Sequence, residues 1–288
     1  MKPIIQKLPL TENTTFVART FRTPRFEVGW HQHTEYELIL FTEGSGLSFV
    51  GNHVGEFEAG DIYFLGANLP HTFQKSQPDL VTSAVVVQFQ EDCWGSEFFQ
   101  IPESRGIREL FHQSSSGLKV AGSTKTTLQN LIRLLEDSTG FERILILSKC
   151  LHLLATSREY ITVSTQEVRQ LNQKARQCID QVFQFTIDNF RDPISLKQVA
   201  AVACMSVSAF CKYFKRSTKK TYIDFLNEVR VGYACTQLLE SAKAVEEICF
   251  ESGYGTIANF HRQFLRITKQ TPLQYRKSYT SRPLQPNH

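Results

Sequence analysis

Hydrophobic positions change their period along the chain. From about residue 15 to 90 they fall in short runs rich in Phe, Val, Tyr and Ile, broken by Gly, Asn, Asp and Pro. ELILF (37–41), LSFV (47–50), DIYFL (61–65) and VTSAVVVQF (81–89) predict strands, and EGSG, GN and GANLP predict turns. Strands so closely spaced favour a barrel or sandwich over a parallel α/β sheet. From about residue 125 the period is helical, with Leu128, Leu131, Ile132 and Leu135 on one segment and Ile144, Leu147, Leu151 and Leu154 on the next. Ser138-Thr139-Gly140 separates them, so the two segments predict a helical hairpin, and a second subunit would cover any apolar stripe the strands leave free. The polar stretch STQEVRQLNQK (164–174) predicts a linker or the start of a connecting helix. Beyond it the pattern is helical, with Ser195 placed to cap a helix after the Asp192-Pro193 break.

The chain has 288 residues, enough for two domains with separate cores. No run of 18 apolar residues and no signal-like start predict a protein of the cytoplasm without a membrane partner. Seven scattered cysteines without a CxxC suggest neither a disulfide framework nor a zinc knuckle. The net charge of +4 hides an asymmetry: residues 1–170 carry 15 Lys and Arg against 19 Asp and Glu, and residues 171–288 carry 17 against 9. Only the second part has the electrostatic footprint of a nucleic-acid binder.

That part contains a repeat. FCKYFKRSTKKTYIDFL (210–226) and FHRQFLRITKQTPLQYR (260–276) match at Phe210/Phe260, Phe214/Phe264, Arg216/Arg266, Thr218/Thr268, Lys219/Lys269 and Thr221/Thr271. Each copy joins an i, i+4 aromatic pair to a neighbouring basic residue, Lys212 or Arg262. Upstream of each lie a short helical pattern and a tight turn, Cys204-Met205-Ser206 in one and Gly253-Tyr254-Gly255 in the other. This is helix-turn-helix grammar. The offset is 50 between the helices but 49 from Ser206 to Gly255, so the second turn carries an extra residue. Between the units, Tyr222, Leu226, Val229 and Tyr233 form one stripe of a helix of about 19 residues, roughly 28 Å long and suited to holding two reading helices about one DNA turn apart.

These residues resemble the AraC/XylS family of transcription regulators over about 174–278, on the strength of ISLKQVAAVACMS with FCKYFKR, RVGYACTQLL, and EEICFESGYGTIANFHRQFLRITKQTPLQYRK. The resemblance implies base contacts from Ser208, Cys211 and Lys212 in the first unit and from Ala258, Asn259 and Arg262 in the second. Arg262 and Lys212 suit guanine and Asn259 suits adenine, whereas Ala258 offers only a methyl group. Lys215, Arg216, Lys219, Arg266 and Lys269 are candidate phosphate contacts. The chain departs from the family at Cys204, where a glycine is usual, and a cysteine there must adopt a left-handed turn or the turn is rebuilt.

GWHQHTEYEL (29–38) and GDIYFLGANLPHTF (60–73) resemble the two motifs of a cupin barrel, with His31, His33, Glu37 and His71 at the matching positions. Positions 31, 33, 35 and 37 share parity, so an unbroken strand would turn all four toward one face. Three readings stand together: a divalent-metal site, a pocket for a small polar effector such as a sugar, or a polar network with no ligand. Trp30, Tyr36 and Phe73 are candidate stacking groups or core aromatics.

The expected architecture is an all-β cupin (jelly-roll) domain over 1–120, a dimerising helical hairpin over 121–163, a linker over 164–175, an all-α domain with two helix-turn-helix units over 176–278 and a disordered tail over 279–288. The expected function is a homodimeric, effector-responsive regulator, not an enzyme, acting on double-stranded DNA. RNA polymerase is a further partner, and no cofactor is needed to bind DNA. The rival is a metal-dependent cupin enzyme fused to a DNA-binding domain.

Overall fold

The structure is a computed structural model that describes residues 4–5, 14–23, 30–75, 80–164 and 173–280. Most of the expected linker (165–172) and most of the expected tail (281–288) lie outside the described residues. The chain divides into two compact units, Met1–His53 with Phe57–Arg176 and Gln177–His288 with the short stretch Val54–Glu56.

The first unit contains β1 (Ile4–Ile5), β2 (Phe16–Thr23), β3 (His31–Gln32), β4 (Tyr36–Glu43), β5 (Ser45–Val50), β6 (His53–Glu58), β7 (Ile62–Leu65), β8 (His71–Lys75), β9 (Thr82–Phe89), α1 (Arg105–Ser114), β10 (Leu118–Val120), α2 (Thr124–Asp137), α3 (Phe141–Ser157) and β11 (Tyr160–Thr162). They form a five-stranded sheet, β1-β3-β8-β5-β6, and a six-stranded sheet, β11-β10-β7-β4-β9-β2. The alternation of β4 separates two cores. Tyr36, Leu38 and Leu40 join one cluster with Phe64, Val87 and the inward faces of α1, α2 and α3. Ile39 and Phe41 face a second cluster with Val50, Phe57, Tyr63 and Phe73. The second cluster draws on both sheets, so it lies between them, and the helices cover the opposite face of the larger sheet.

The α2–α3 hairpin forms where the period predicted it. Its stripe of Leu128, Ile132, Leu135, Leu147, Leu151 and Leu154 is buried in this chain's own core. The apolar residues left exposed are others, Leu134, Phe141 and Leu145, flanking the hairpin turn. Two elements interrupt the expected division: α1 falls within the stretch read as all-β, and β11 falls within the stretch read as helical.

The second unit consists of α4 (Gln173–Asn189), α5 (Leu196–Val202), α6 (Val207–Thr218), α7 (Tyr222–Glu240), α8 (Val245–Glu251), α9 (Ile257–Thr268) and α10 (Pro272–Thr280). Ser195 caps α5 in a capping box with Gln198, and Ser206 and Thr256 cap α6 and α9. The repeat identities are largely explained by packing and helix ends. Phe210 and Phe214 pack on Tyr222, and Phe260 and Phe264 lie with Tyr254 and Tyr275 in the core of the second helix-turn-helix. Truncating any of these four rings to Ala would cost about 3–5 kcal/mol. The Thr218 hydroxyl donates to the Phe214 and Lys220 carbonyls, as that of Thr268 does to Phe264 and Gln270. Thr221 and Thr271 accept from the amides of Asp224 and Gln274 and so start α7 and α10.

The left-handed residues of the two turns are Cys204 (φ 53°) and Gly253 (φ 83°). Cys204 therefore adopts the glycine-like conformation, and the turn is not rebuilt. The structural partner of the cap Ser206 is Thr256, not Gly255, so the extra residue of the second unit falls between Gly253 and Thr256.

Candidate metal centre and nucleic-acid interface

His31, His33, Glu37 and His71 converge, each offering one ligand atom, with those atoms within 4.8 Å of one another. They do not converge along one strand. β3 ends at Gln32, residues 33–35 bend, and β4 starts at Tyr36 in the other sheet. The parity expectation of an unbroken strand is thus corrected: the chain crosses between sheets here, and Glu35 leaves the set. The Glu35 carboxylate instead accepts from the Thr34 hydroxyl and the Gln90 amide.

His31 and His71 are register partners on β3 and β8, with ring centroids 4.3 Å apart. The loop before His71 is tied to the bend that carries His33, because the Asn68 amide donates to the His33 carbonyl at 2.7 Å. Asn68 sits at φ 59°, a conformation asparagine tolerates better than most residues. Glu37 points to the inner face beside Gln88, its register partner on β9.

Second contacts orient the imidazoles. His33 Nδ1 donates to the Glu35 carbonyl at 3.0 Å and His71 Nδ1 to the Leu69 carbonyl at 2.8 Å. Each ring therefore turns Nε2 toward the centre, the arrangement usual for a metal-ligating histidine. His71 Nε2 is buried without a hydrogen-bond partner and lies 3.7 Å from Glu37 Oε1. His33 Nε2 lies 2.5 Å from Glu37 Oε2, which also accepts from Gln88 Nε2 at 2.7 Å. Burial works to raise the Glu37 carboxyl pKa, but His33 and His71 hold it well below the usual range. Burial works to lower the pKa of His33, and the Glu37 and Glu35 carboxylates outweigh it and move it upward. Three buried imidazoles and a buried carboxylate, with His33, His71 and Glu37 held by second contacts, fit a divalent transition metal.

The aromatic candidates separate. Phe73 faces the inner cluster, 6.3 Å from the His71 ring. Tyr36 is a core aromatic: it stacks on Phe111 at 4.3 Å on the helix-covered face, as its parity opposite to Glu37 requires. Trp30 is buried just before β3. Gln88 was not singled out in the sequence, yet it shares its face of β9 with the inner-cluster residues Ala84 and Val86, a polar break that the alternation of VTSAVVVQF contains.

In the second unit Ser208, Cys211, Lys212, Ala258 and Arg262 are exposed and Asn259 is half-buried, all on α6 or α9. Arg262 donates to Asn259 Oδ1 at 2.8 Å, which joins the two strongest base-reading candidates into one surface. Lys215, Arg216, Lys219, Arg266 and Lys269 are also exposed. Lys219 and Lys269 are the left-handed caps that end α6 and α9. Arg266 pairs with Asp224 on α7 at 2.8 Å, so it braces the second reading helix; among the described residues Arg216 makes no such ion pair.

The chain thus pairs a two-sheet unit that holds a buried His/Glu cluster with a helical unit of two helix-turn-helix motifs, the grammar of DNA-binding proteins. Residues 13–155 match the profile of the AraC-like ligand binding domain, and residues 199–278 match that of a helix-turn-helix domain. The chain belongs to the AraC family of transcription regulators. It is 22% identical over 232 residues to an uncharacterised HTH-type transcriptional regulator of Staphylococcus aureus strain COL, covering 78% of this chain but 29% of that protein. The HTH-type regulator YdeC of Bacillus subtilis is 20% identical over 253 residues, covering 86% of this chain and 85% of YdeC. A solved structure of ToxT from Vibrio cholerae, bound to a naphthalenyl butenoic acid, is similar at 13% identity and TM-score 0.38, covering 91% of this chain and 98% of ToxT. Among the described residues no helix is long and apolar enough to cross a membrane.

Proposed function

We propose that this regulator acts in the cytoplasm as a homodimer, reads DNA with α6 and α9, and holds a divalent transition metal in its first unit through His31, His33, Glu37 and His71. The observation that carries the metal reading is the buried, unpartnered Nε2 of His71 beside three further ligand atoms within 4.8 Å. An orphaned buried nitrogen is costly, and a metal supplies the missing partner. A bound metal supplies a Lewis-acidic anchor for an anionic or hydroxylated effector. The protein's own part is to fix the ring orientations through the Glu35 and Leu69 carbonyls and to hold Glu37 ionised through Gln88 and the histidines. Effector binding shifts DNA affinity to the extent that it prefers one conformation of the regulator over another.

On the DNA side, Ser208, Cys211 and Lys212 on α6 and Ala258, Asn259 and Arg262 on α9 face base edges, and Lys215, Arg216, Lys219 and Lys269 contact phosphates. Their exposure on one basic unit supports this reading. Dimerisation is assigned to the exposed Leu134, Phe141 and Leu145 around the hairpin turn. RNA polymerase is a further partner in this scheme.

Elemental analysis of full-length protein purified without added metal tests the centre. One equivalent per chain is expected in the wild type and its loss in His71→Ala and Glu37→Gln. Metal-free wild type whose melting temperature is unmoved by Zn²⁺, Mn²⁺, Fe²⁺ or Ni²⁺ would overturn it. Arg262→Ala should abolish selective DNA binding and leave the fold intact; unchanged affinity for a selected site would overturn that assignment.

A further inference from the structure

Val207 and Ile257 are the first residues of α6 and α9 and occupy the same position in the two helix-turn-helix units, each directly after its cap. Both are large aliphatic side chains left exposed, at 39% and 37%. Local stability does not account for them, since β-branched residues are poor helix formers and the caps Ser206 and Thr256 already satisfy the first turn. On each helix this residue precedes the buried Phe210 and Phe214, or Phe260 and Phe264, by three and seven positions, so it stands at the exposed N-terminal edge of the buried stripe and keeps more than a third of its surface open.

We propose that Val207 and Ile257 are specificity residues that take up the C5-methyl group of a thymine in the major groove. The inference rests on the DNA-reading assignment above. A recognition helix meets base edges with its N-terminal residues. The thymine methyl is the one apolar group the major groove presents among its donors and acceptors. A stiff, branched aliphatic chain suits it because little rotamer freedom remains to be lost. The next residues, Ser208 and Ala258, are small and exposed, which lets the start of each helix approach the bases closely. Lys212 and Arg262, further along the same helices, are exposed with their charges available to hydrogen-bond acceptors or phosphate. Lys212, Lys215 and Arg216 on α6 and Arg262 on α9 put exposed positive charge on the same helices, which favours DNA over a protein surface as the occupant.

The test uses a duplex selected from a random library by the full-length protein. Each thymine is replaced singly by deoxyuridine, which pairs identically and lacks only the methyl. Two sensitive positions about one helical turn apart are expected, each losing about fourfold in affinity, the factor for exposing one buried carbon. Val207→Ala should erase the sensitivity at one position and Ile257→Ala at the other. A selected site indifferent to every deoxyuridine, or sensitivity that persists in both variants, would overturn this inference alone. Failure to select any sequence would overturn the DNA-reading assignment with it.

Discussion

Exchanging the residue types at the two left-handed turns should have opposite and unequal effects. Gly253 sits at φ 83°, and a Cβ there would lie 2.4 Å from the Phe190 carbonyl oxygen and 2.9 Å from Arg230 Nε. Those two atoms are hydrogen-bonded to each other at 2.8 Å, so neither can yield without breaking the tie between the end of α4 and α7. For Gly253→Ala the left-handed backbone costs about 1 kcal/mol and the overpacking against backbone about 2 kcal/mol more. Cys204 already bears the conformational cost at φ 53° and is exposed, so Cys204→Gly should gain up to about 1 kcal/mol. In a unit of this size these figures become a melting temperature about 10–15 °C lower for Gly253→Ala and about 4 °C higher for Cys204→Gly. Far-UV circular dichroism of the full chain reads the loss of the second unit's helices. The two tryptophans, Trp30 and Trp94, both lie in the first unit and report that unit separately by fluorescence. A Gly253→Ala melt within 2 °C of wild type, or a Cys204→Gly variant that melts lower, would refute the steric and conformational argument.

Asp61 accepts from Lys119 and Lys125 at 2.7 and 2.8 Å, and although burial works to raise its pKa, these lysines bring it below the ordinary value. Because the folded pKa is depressed, the stabilisation is present above about pH 4 and is lost as pH falls through the folded value. Asp61→Asn should therefore cost about 2 kcal/mol at pH 7 in urea titrations followed by tryptophan fluorescence, with the gap closing in acid; a gap independent of pH would count against the pairing. If the proposed dimer forms through the hairpin turn, wild type should run as a dimer in light scattering and Phe141→Glu with Leu145→Glu as a monomer at unchanged helix content; a wild-type monomer would overturn the dimer, and a dimeric variant would move the interface elsewhere. Dialysis against a strong chelator should lower the melting temperature of wild type and leave that of His71→Ala unmoved, whereas equal sensitivity would place the metal outside this site.

The legible parts of the fold were those with strong periodicity. β4, β5, β7 and β9 and the α2–α3 hairpin stand where alternation or the helical period put them. The stretch containing α1 did not announce itself among the Gly-, Pro- and Phe-bearing turns around it, and β11 spans only three residues at the end of a helical run. Its pairing with β10 is non-local, and local pattern carries no record of it. At the site, His31, His33, Glu37 and His71 were legible as residue types, but the geometry was not. Parity on a single strand would have included Glu35, and the crossing between sheets at residues 33–35 excludes it. Gln88 comes to Glu37 only through the β4–β9 register.

The repeat in the second unit separates scaffold from readout. Most of its identities serve the scaffold: the buried rings, the threonines that close α6 and α9, the threonines that start α7 and α10, and the left-handed lysine caps. At the positions proposed to meet bases in one copy or the other the two differ: Val207 against Ile257, Ser208 against Ala258, Ala209 against Asn259, Cys211 against His261, and Lys212 against Arg262. Two units with one scaffold and unlike outward faces cannot favour the same base sequence, because each outward residue offers a different donor, acceptor or apolar contact. The site bound by one chain should therefore be two unlike segments about a helical turn apart, not a direct repeat. Arg266 sharpens the difference. Its pairing with Asp224 braces α9 against α7, while Arg216 at the same position of α6 forms no equivalent ion pair among the described residues. Asp224→Asn should thus weaken selectivity in the segment read by α9 and leave the segment read by α6 unchanged, and equal loss in both would show that the two helices are not held independently.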